Sequence, residues 1–166
     1  FVAAGRSPVA MLNMRYAVVD DLIDLHRVPD LAGISIDGTT RRVGAMTRQK
    51  VLKAHDALAS RSPVFAAGLD YVGHLQTRNR GTLGGSLCHL DPAAELASLA
   101  LLHDAVVTVA SDANGLRDLP IAEFPVAYLT PSLAPAALVT AARFSPPVPA
   151  HAWPLPYSRP HTAHSA

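Results

Sequence analysis

The chain has 166 residues, 49% of them hydrophobic and 16% charged, with a formal net charge of +1. That is enough apolar material for one packed domain and excludes wholesale disorder, and the near-neutral balance gives no bulk electrostatic reason for a nucleic-acid or membrane-surface partner. A single cysteine, Cys88, excludes an intramolecular disulfide, a four-cysteine zinc site and an iron-sulfur cluster carried by this chain alone, so any redox carrier is organic or sits on a partner.

The sequence opens at Phe1, directly inside an apolar run, which reads as half of a strand whose upstream neighbours are missing and marks the chain as a fragment. Residues 33 to 45, GISIDGTTRRVGA, alternate around Asp37-Gly38 and predict a tight-turned hairpin. Thr47 reads as the N-cap of a helix through QKVLKAHDALAS, and Pro63 opens a second helical segment to about Val72. The stretch QTRNRGTLGGSLCHLD holds three of the ten glycines within Gly81 to Gly85, which predicts a loop with unusual backbone angles. Asp91-Pro92 then reads as N-cap and first turn of a helix, AAELASLALL, with Glu95 near its positive end. That helix contains the longest strongly apolar run, Leu96 to Leu102, far short of the roughly 18 residues of a membrane span.

Ala105 to Ala110 is a β-branched run, separated by SDANG from LRDLP, and predicts another hairpin. Ile121 to Phe124 reads as a helical turn and Ala137 to Phe144 as a strand. Residues 145 to 166 carry six of the fourteen prolines and no surviving period, so they read as an irregular tail. The switches between period two and helical spacing predict an α+β domain with a mixed or antiparallel sheet and packed helices, the 92 to 103 helix on its apolar face.

Two segments can carry chemistry. Gly81-Thr82-Leu83-Gly84-Gly85-Ser86 offers close backbone approach, main-chain N–H groups and two hydroxyls, which suits an anionic ligand, although it is neither a Walker A nor a Rossmann sequence. A tight turn packed on a helix explains the same residues. Ala3-Ala4-Gly5-Arg6-Ser7-Pro8 follows an apolar pair and has phosphate-binding character, with Ser7 as hydroxyl donor and Arg6 as counter-charge; an ordinary strand-ending loop is the plainer alternative. His74, His89 and His103 are spaced like no compact zinc pattern.

Together the two segments resemble one family. VGHLQTRNRGTLGGSLCHLDPAAELAS, Val72 to Ser98, is nearly unbroken signature of the FAD-binding medium subunit of molybdenum hydroxylases, the aerobic carbon monoxide dehydrogenase and xanthine dehydrogenase type, and VAAGRSPVAMLNMR resembles that family's first flavin loop. The resemblance implies a partial FAD-binding domain of the vanillyl-alcohol-oxidase (PCMH) type over residues 1–144, with 145–166 outside it. It implies that Ala4, Gly5, Arg6 and Ser7 form the first flavin loop, that Thr82, Gly84, Gly85 and Ser86 form the second, and that Asp91 and Glu95 lie near the ribityl chain or ring edge. An N-cap role for Asp91 and a dipole role for Glu95 explain those two equally well. The implied cofactor is non-covalent FAD. The implied activity is that of a cytoplasmic flavoprotein oxidoreductase subunit, passing electrons from an iron-sulfur subunit beside a molybdopterin subunit to an acceptor. Ala4 stands where the family prefers a second glycine, Pro8 removes an N–H, and both ends depart from the family's pattern, which favours an alternative: a truncated, non-catalytic remnant serving as a subunit-docking module.

Overall fold

The computed structural model describes residues 11–15 and 21–146. The strand expected at Phe1 to Ala3, the first flavin loop from Ala4 to Ser7, and nearly all of the proline-rich tail lie outside the described residues.

The Asp37-Gly38 signal produces the hairpin it predicts. Strands β1 (Ile34–Asp37) and β2 (Thr40–Gly44) pair antiparallel with Ile36 opposite Arg41, and Gly38 takes the left-handed φ of +55° that the turn requires. Five helices follow without an intervening strand: α1 (Gln49–Lys53), α2 (Asp56–Arg61), α3 (Pro63–Tyr71), α4 (Leu75–Arg80) and α5 (Leu83–His89). After α6 (Glu95–Leu102) the chain returns to sheet in β3 (Val106–Ser111) and β4 (Gly115–Pro120), a helical turn at Ile121–Glu123, a small hairpin of β5 (Pro125–Ala127) and β6 (Thr130–Pro131), and β7 (Leu138–Phe144). The main sheet runs β1-β2-β7-β3-β4, every pair antiparallel.

Several local expectations are corrected. Thr47 is not the N-cap of α1; Arg48 holds that position, and the Thr47 hydroxyl instead donates to the Gly33 carbonyl (3.0 Å) and accepts the Gly33 N–H (2.9 Å). The single helix expected from Gln49 to Ser60 is broken at His55, whose Nδ1 accepts the Leu58 N–H and so caps α2. The glycine-rich stretch is helical rather than an irregular loop: α4 ends at Arg80, and α5 begins straight after its N-cap, Thr82. Finally, α6 starts at Glu95 with Ala94 at the N-cap, so Asp91 and Pro92 precede the helix instead of opening it.

One core joins helices and sheet, with Val43, Leu52, Leu58, Phe65, Leu69, Leu83, Leu87, Leu96, Val107, Phe124 and Phe144 all but inaccessible. Burying each such side chain contributes roughly 1.5–3 kcal/mol. The helix lying directly on β2 and β7 is α5; α6, expected on the sheet, stacks on α3 and α5 instead. At the far end of the core, His103 is 1% exposed and packs edge-on against Phe65 and Phe144. Its Nδ1–H donates to the Ser145 carbonyl (2.9 Å), which leaves Nε2 to accept from the Ser62 hydroxyl (3.0 Å) and fixes the neutral tautomer. Arg41, 2% exposed, reaches the same place: it donates to the Ser145 carbonyl (2.6 Å) and the Arg61 carbonyl (3.2 Å).

Candidate functional site

Gly84 determines how the site is assembled. A Cβ built there would stand 2.6 Å from the Ala45 Cβ and 3.1 Å from the Ala45 main chain, so only glycine lets α5 approach the end of β2 this closely. The approach is sealed by main-chain hydrogen bonds: Gly84 N–H to the Ala45 carbonyl (2.8 Å), Leu83 N–H to the Thr47 carbonyl (3.0 Å) and Gln49 N–H to the Gly81 carbonyl (2.9 Å). An isolated bridge between Arg48 and Thr82 continues the pairing, and the Arg48 guanidinium donates to the Arg80 carbonyl. Thr82 is 1% exposed, and its hydroxyl accepts the Gly85 N–H (3.1 Å).

These contacts correct the expectation of several free N–H groups in the loop. The N–H groups of Leu83, Gly84, Gly85 and Ser86 all have partners within the protein, the last on the Thr82 carbonyl (3.2 Å). The glycine at 84 therefore serves close packing and not a left-handed backbone. Among the described residues the Ser86 hydroxyl has no partner.

Beside α5 lies a cavity of about 580 Å³. Thr82, Gly84, Gly85, Ser86, Asp91 and Glu95 all line it, so the second-loop residues and both acidic positions expected from the sequence are brought together. The chain reaches Asp91 by a sharp turn at Leu90, whose φ of +48° is in the left-handed region that a leucine adopts only under strain. The Asp91 carboxylate accepts the Ala93 N–H (2.9 Å) in a local turn, and Glu95 sits half-buried in the first turn of α6. The lining also has an apolar part, Leu133, Leu138 and Val139 together with Leu25 and Met46.

Three more residues in the wall were not expected there. Cys88 and His89 follow one another on α5, and burial pushes the Cys88 thiol up to about 11, so it is a neutral thiol near pH 7. Gln49 is the third, 5% exposed at the start of α1. Nothing in the linear pattern singles out Gln49; its place follows from the pairing of 45–49 with 81–84. Arg78, on α4, donates to the Val72 and Gly73 carbonyls and braces the α3–α4 link. Among the described residues no three His, Cys, Asp or Glu side chains are grouped to hold a metal ion.

Residues 1–146 match the family model described as the FAD binding domain in molybdopterin dehydrogenase. The 6-hydroxypseudooxynicotine dehydrogenase complex subunit alpha of Paenarthrobacter nicotinovorans is 38% identical over 138 residues, 83% of this chain and 46% of that protein. The carbon monoxide dehydrogenase medium chain of Hydrogenophaga pseudoflava is 34% identical over 119 residues, 72% of this chain and 41% of that one. Among solved structures, carbon monoxide dehydrogenase from Hydrogenophaga pseudoflava superposes with a TM-score of 0.84 at 30% identity, covering 89% of this chain and 51% of its own. Quinoline 2-oxidoreductase from Pseudomonas putida 86 gives 0.84 at 32%, covering 88% and 51%. The chain thus spans about half the length of the proteins it matches, and within that span the superposition and the match over residues 1–146 agree: it belongs to the family of FAD-binding domains of molybdopterin dehydrogenases.

Proposed function

We propose that this chain is the FAD-binding part of the medium subunit of a molybdopterin-dependent dehydrogenase, an electron-transfer subunit set between an iron-sulfur subunit, itself beside a molybdopterin subunit, and an electron acceptor. The observation that carries this reading is that Thr82, Gly84, Gly85, Ser86, Asp91 and Glu95 line the same cavity. Residues 1–144 form the flavin unit in this reading, with Ala4, Gly5, Arg6 and Ser7 as a first flavin loop, and 145–166 lie outside it. A cytoplasmic place belongs to the same reading, and an unpaired thiol at Cys88 suits a reducing compartment.

The residues present fit FAD. A cavity of about 580 Å³ is of the size that holds cofactors, one wall is apolar enough for a ring system, and the Ser86 hydroxyl is available as a donor to a phosphate oxygen. FAD, when bound, supplies the capacity to accept electrons and hand them on. This chain's own residues bind and orient it. Asp91 and Glu95 are anionic hydrogen-bond acceptors, which disfavours a neighbouring diphosphate and favours hydroxyl or ring N–H groups. The apolar side chains of Leu133, Leu138 and Val139 in the lining disfavour water beside them.

Titrating FAD into the purified chain, followed by gel filtration, tests the reading. The expected result is flavin absorbance that co-elutes with the protein and is released on acid precipitation. A chain that folds and elutes without flavin at saturating FAD overturns the reading; flavin that stays with the precipitate overturns the non-covalent part of it.

A further inference from the structure

We propose that Gln49 is a further cofactor-binding residue of this cavity, accepting through Oε1 a hydrogen bond from a hydroxyl of the bound nucleotide's sugar or ribityl chain. The inference rests on the FAD reading above and adds a contact to it.

Gln49 is 5% exposed and lines the cavity, and its Oε1 is out of solvent with no hydrogen-bond partner. Buried side-chain polar atoms are nearly always paired, so an orphan acceptor on a residue that lines a cavity needs a reason. Gly81 shows that the position is built for the amide. Its φ of −59° is open to any residue, so the glycine is not there for backbone freedom. What it provides is room: a Cβ at Gly81 would lie 2.5 Å from Oε1 of Gln49. The Gln49 main-chain N–H is held by the Gly81 carbonyl at 2.9 Å, so the amide is carried on a fixed backbone and cannot swing away with it.

The chemistry of the missing partner follows from the acceptor. A diphosphate near neutral pH offers acceptors and no protons to donate, whereas a polyol offers O–H donors. Gln49, Asp91 and Glu95 bring three acceptor-bearing side chains to the lining of one cavity, which matches the hydroxyl-rich part of a flavin nucleotide. The ribityl chain and the adenosine ribose share that chemistry, and riboflavin and ADP separate them.

The test is calorimetric titration of FAD, riboflavin and ADP into wild type, Gln49→Leu and Gln49→Glu, with a melt of each without ligand. Gln49→Leu is expected to weaken FAD about three- to tenfold, the worth of one hydrogen bond, without lowering the ligand-free melting temperature, since it removes an unpaired buried group. Gln49→Glu keeps an acceptor and is expected to bind within about threefold of wild type. The same Leu-specific loss for riboflavin assigns the ribityl chain; for ADP, the ribose. Gln49→Leu binding FAD as tightly as wild type overturns the proposal, as does Gln49→Glu binding as weakly as Gln49→Leu, which would make the amide a donor to phosphate. If wild type itself binds no FAD, the functional reading falls and this contact falls with it.

Discussion

Arg41 and Ser145, 104 residues apart in sequence, are joined by a 2.6 Å hydrogen bond from guanidinium to carbonyl. The bond ties the start of β2 to the residue just beyond β7, and the same carbonyl receives the His103 imidazole. Among the described residues no carboxylate hydrogen-bonds to Arg41; its charge is dispersed over main-chain oxygens.

Removing that side chain leaves the Arg61 carbonyl without this donor and opens a hole in the core. Arg41→Ala is expected to destabilise the fold by about 2–3 kcal/mol. Arg41→Lys should recover little, because one ammonium cannot span two carbonyls as a planar fork does. Urea unfolding of both variants measures this; an Arg41→Lys variant as stable as wild type would contradict it.

His103 makes stability depend on pH in a definite direction. Burial holds its pKa below the ordinary value, and the nearby Arg41 charge adds to this while the Ser145 carbonyl opposes it. The unfolded chain therefore binds a proton near pH 6.5 that the folded chain refuses. Stability is full above about 6.5 and declines as pH falls below it, levelling once the lower folded pKa is passed. Unfolding curves taken between about pH 8 and about pH 5 should show this decline in wild type and a flatter response in His103→Gln.

Gly84→Ala has two opposed effects. Alanine favours a helix over glycine by about 1 kcal/mol, but here its methyl would meet the Ala45 Cβ at 2.6 Å, with main chain close behind. Overpacking of this kind costs about 1–3 kcal/mol, so the net change is destabilising, and a ligand-free thermal melt should show it. Adding Ala45→Gly removes the facing methyl and should restore part of the loss. A single variant that melts higher than wild type would mean the approach is looser than described.

With its pKa pushed up to about 11, the Cys88 thiol should resist alkylation. Near pH 8 its thiolate fraction is roughly a hundredfold below that of an ordinary thiol, and iodoacetamide labelling followed by mass spectrometry should be correspondingly slow. Labelling in urea should proceed at the rate of a free cysteine.

The β-structure was the most legible part of the sequence, because alternation and turn chemistry act over a few residues: Asp37-Gly38 and the SDANG turn each mark a hairpin that is present. The glycine-rich segment was misread for a physical reason. Glycine carries two meanings, backbone freedom and absence of a side chain, and the second depends on what lies opposite, here Ala45, nearly forty residues away. Thr47 misled in the same way, its hydroxyl serving Gly33 across the fold instead of the helix beside it. Arg41 left a trace that period-two reasoning can recover, since it shares the buried face of β2 with Val43. Gln49 left none. The residues from Thr82 to Glu95 were recognisable as a group through resemblance, while their shared cavity emerges only from the packing of α5 against β2.

The position of β7 bears on how this domain comes into being. Strands β1 and β2 form a local hairpin, as do β3 and β4, yet neither hairpin touches the other in the sheet; Leu138–Phe144 pairs with β2 on one side and β3 on the other. During synthesis the two hairpins remain separate, each with an uncovered edge, until this last strand is available to insert between them. Assembly of the sheet is consequently a late and long-range event, slow relative to the helices formed upstream, and the nascent chain's interval of greatest exposure to self-association runs from the emergence of β3 to that of Phe144.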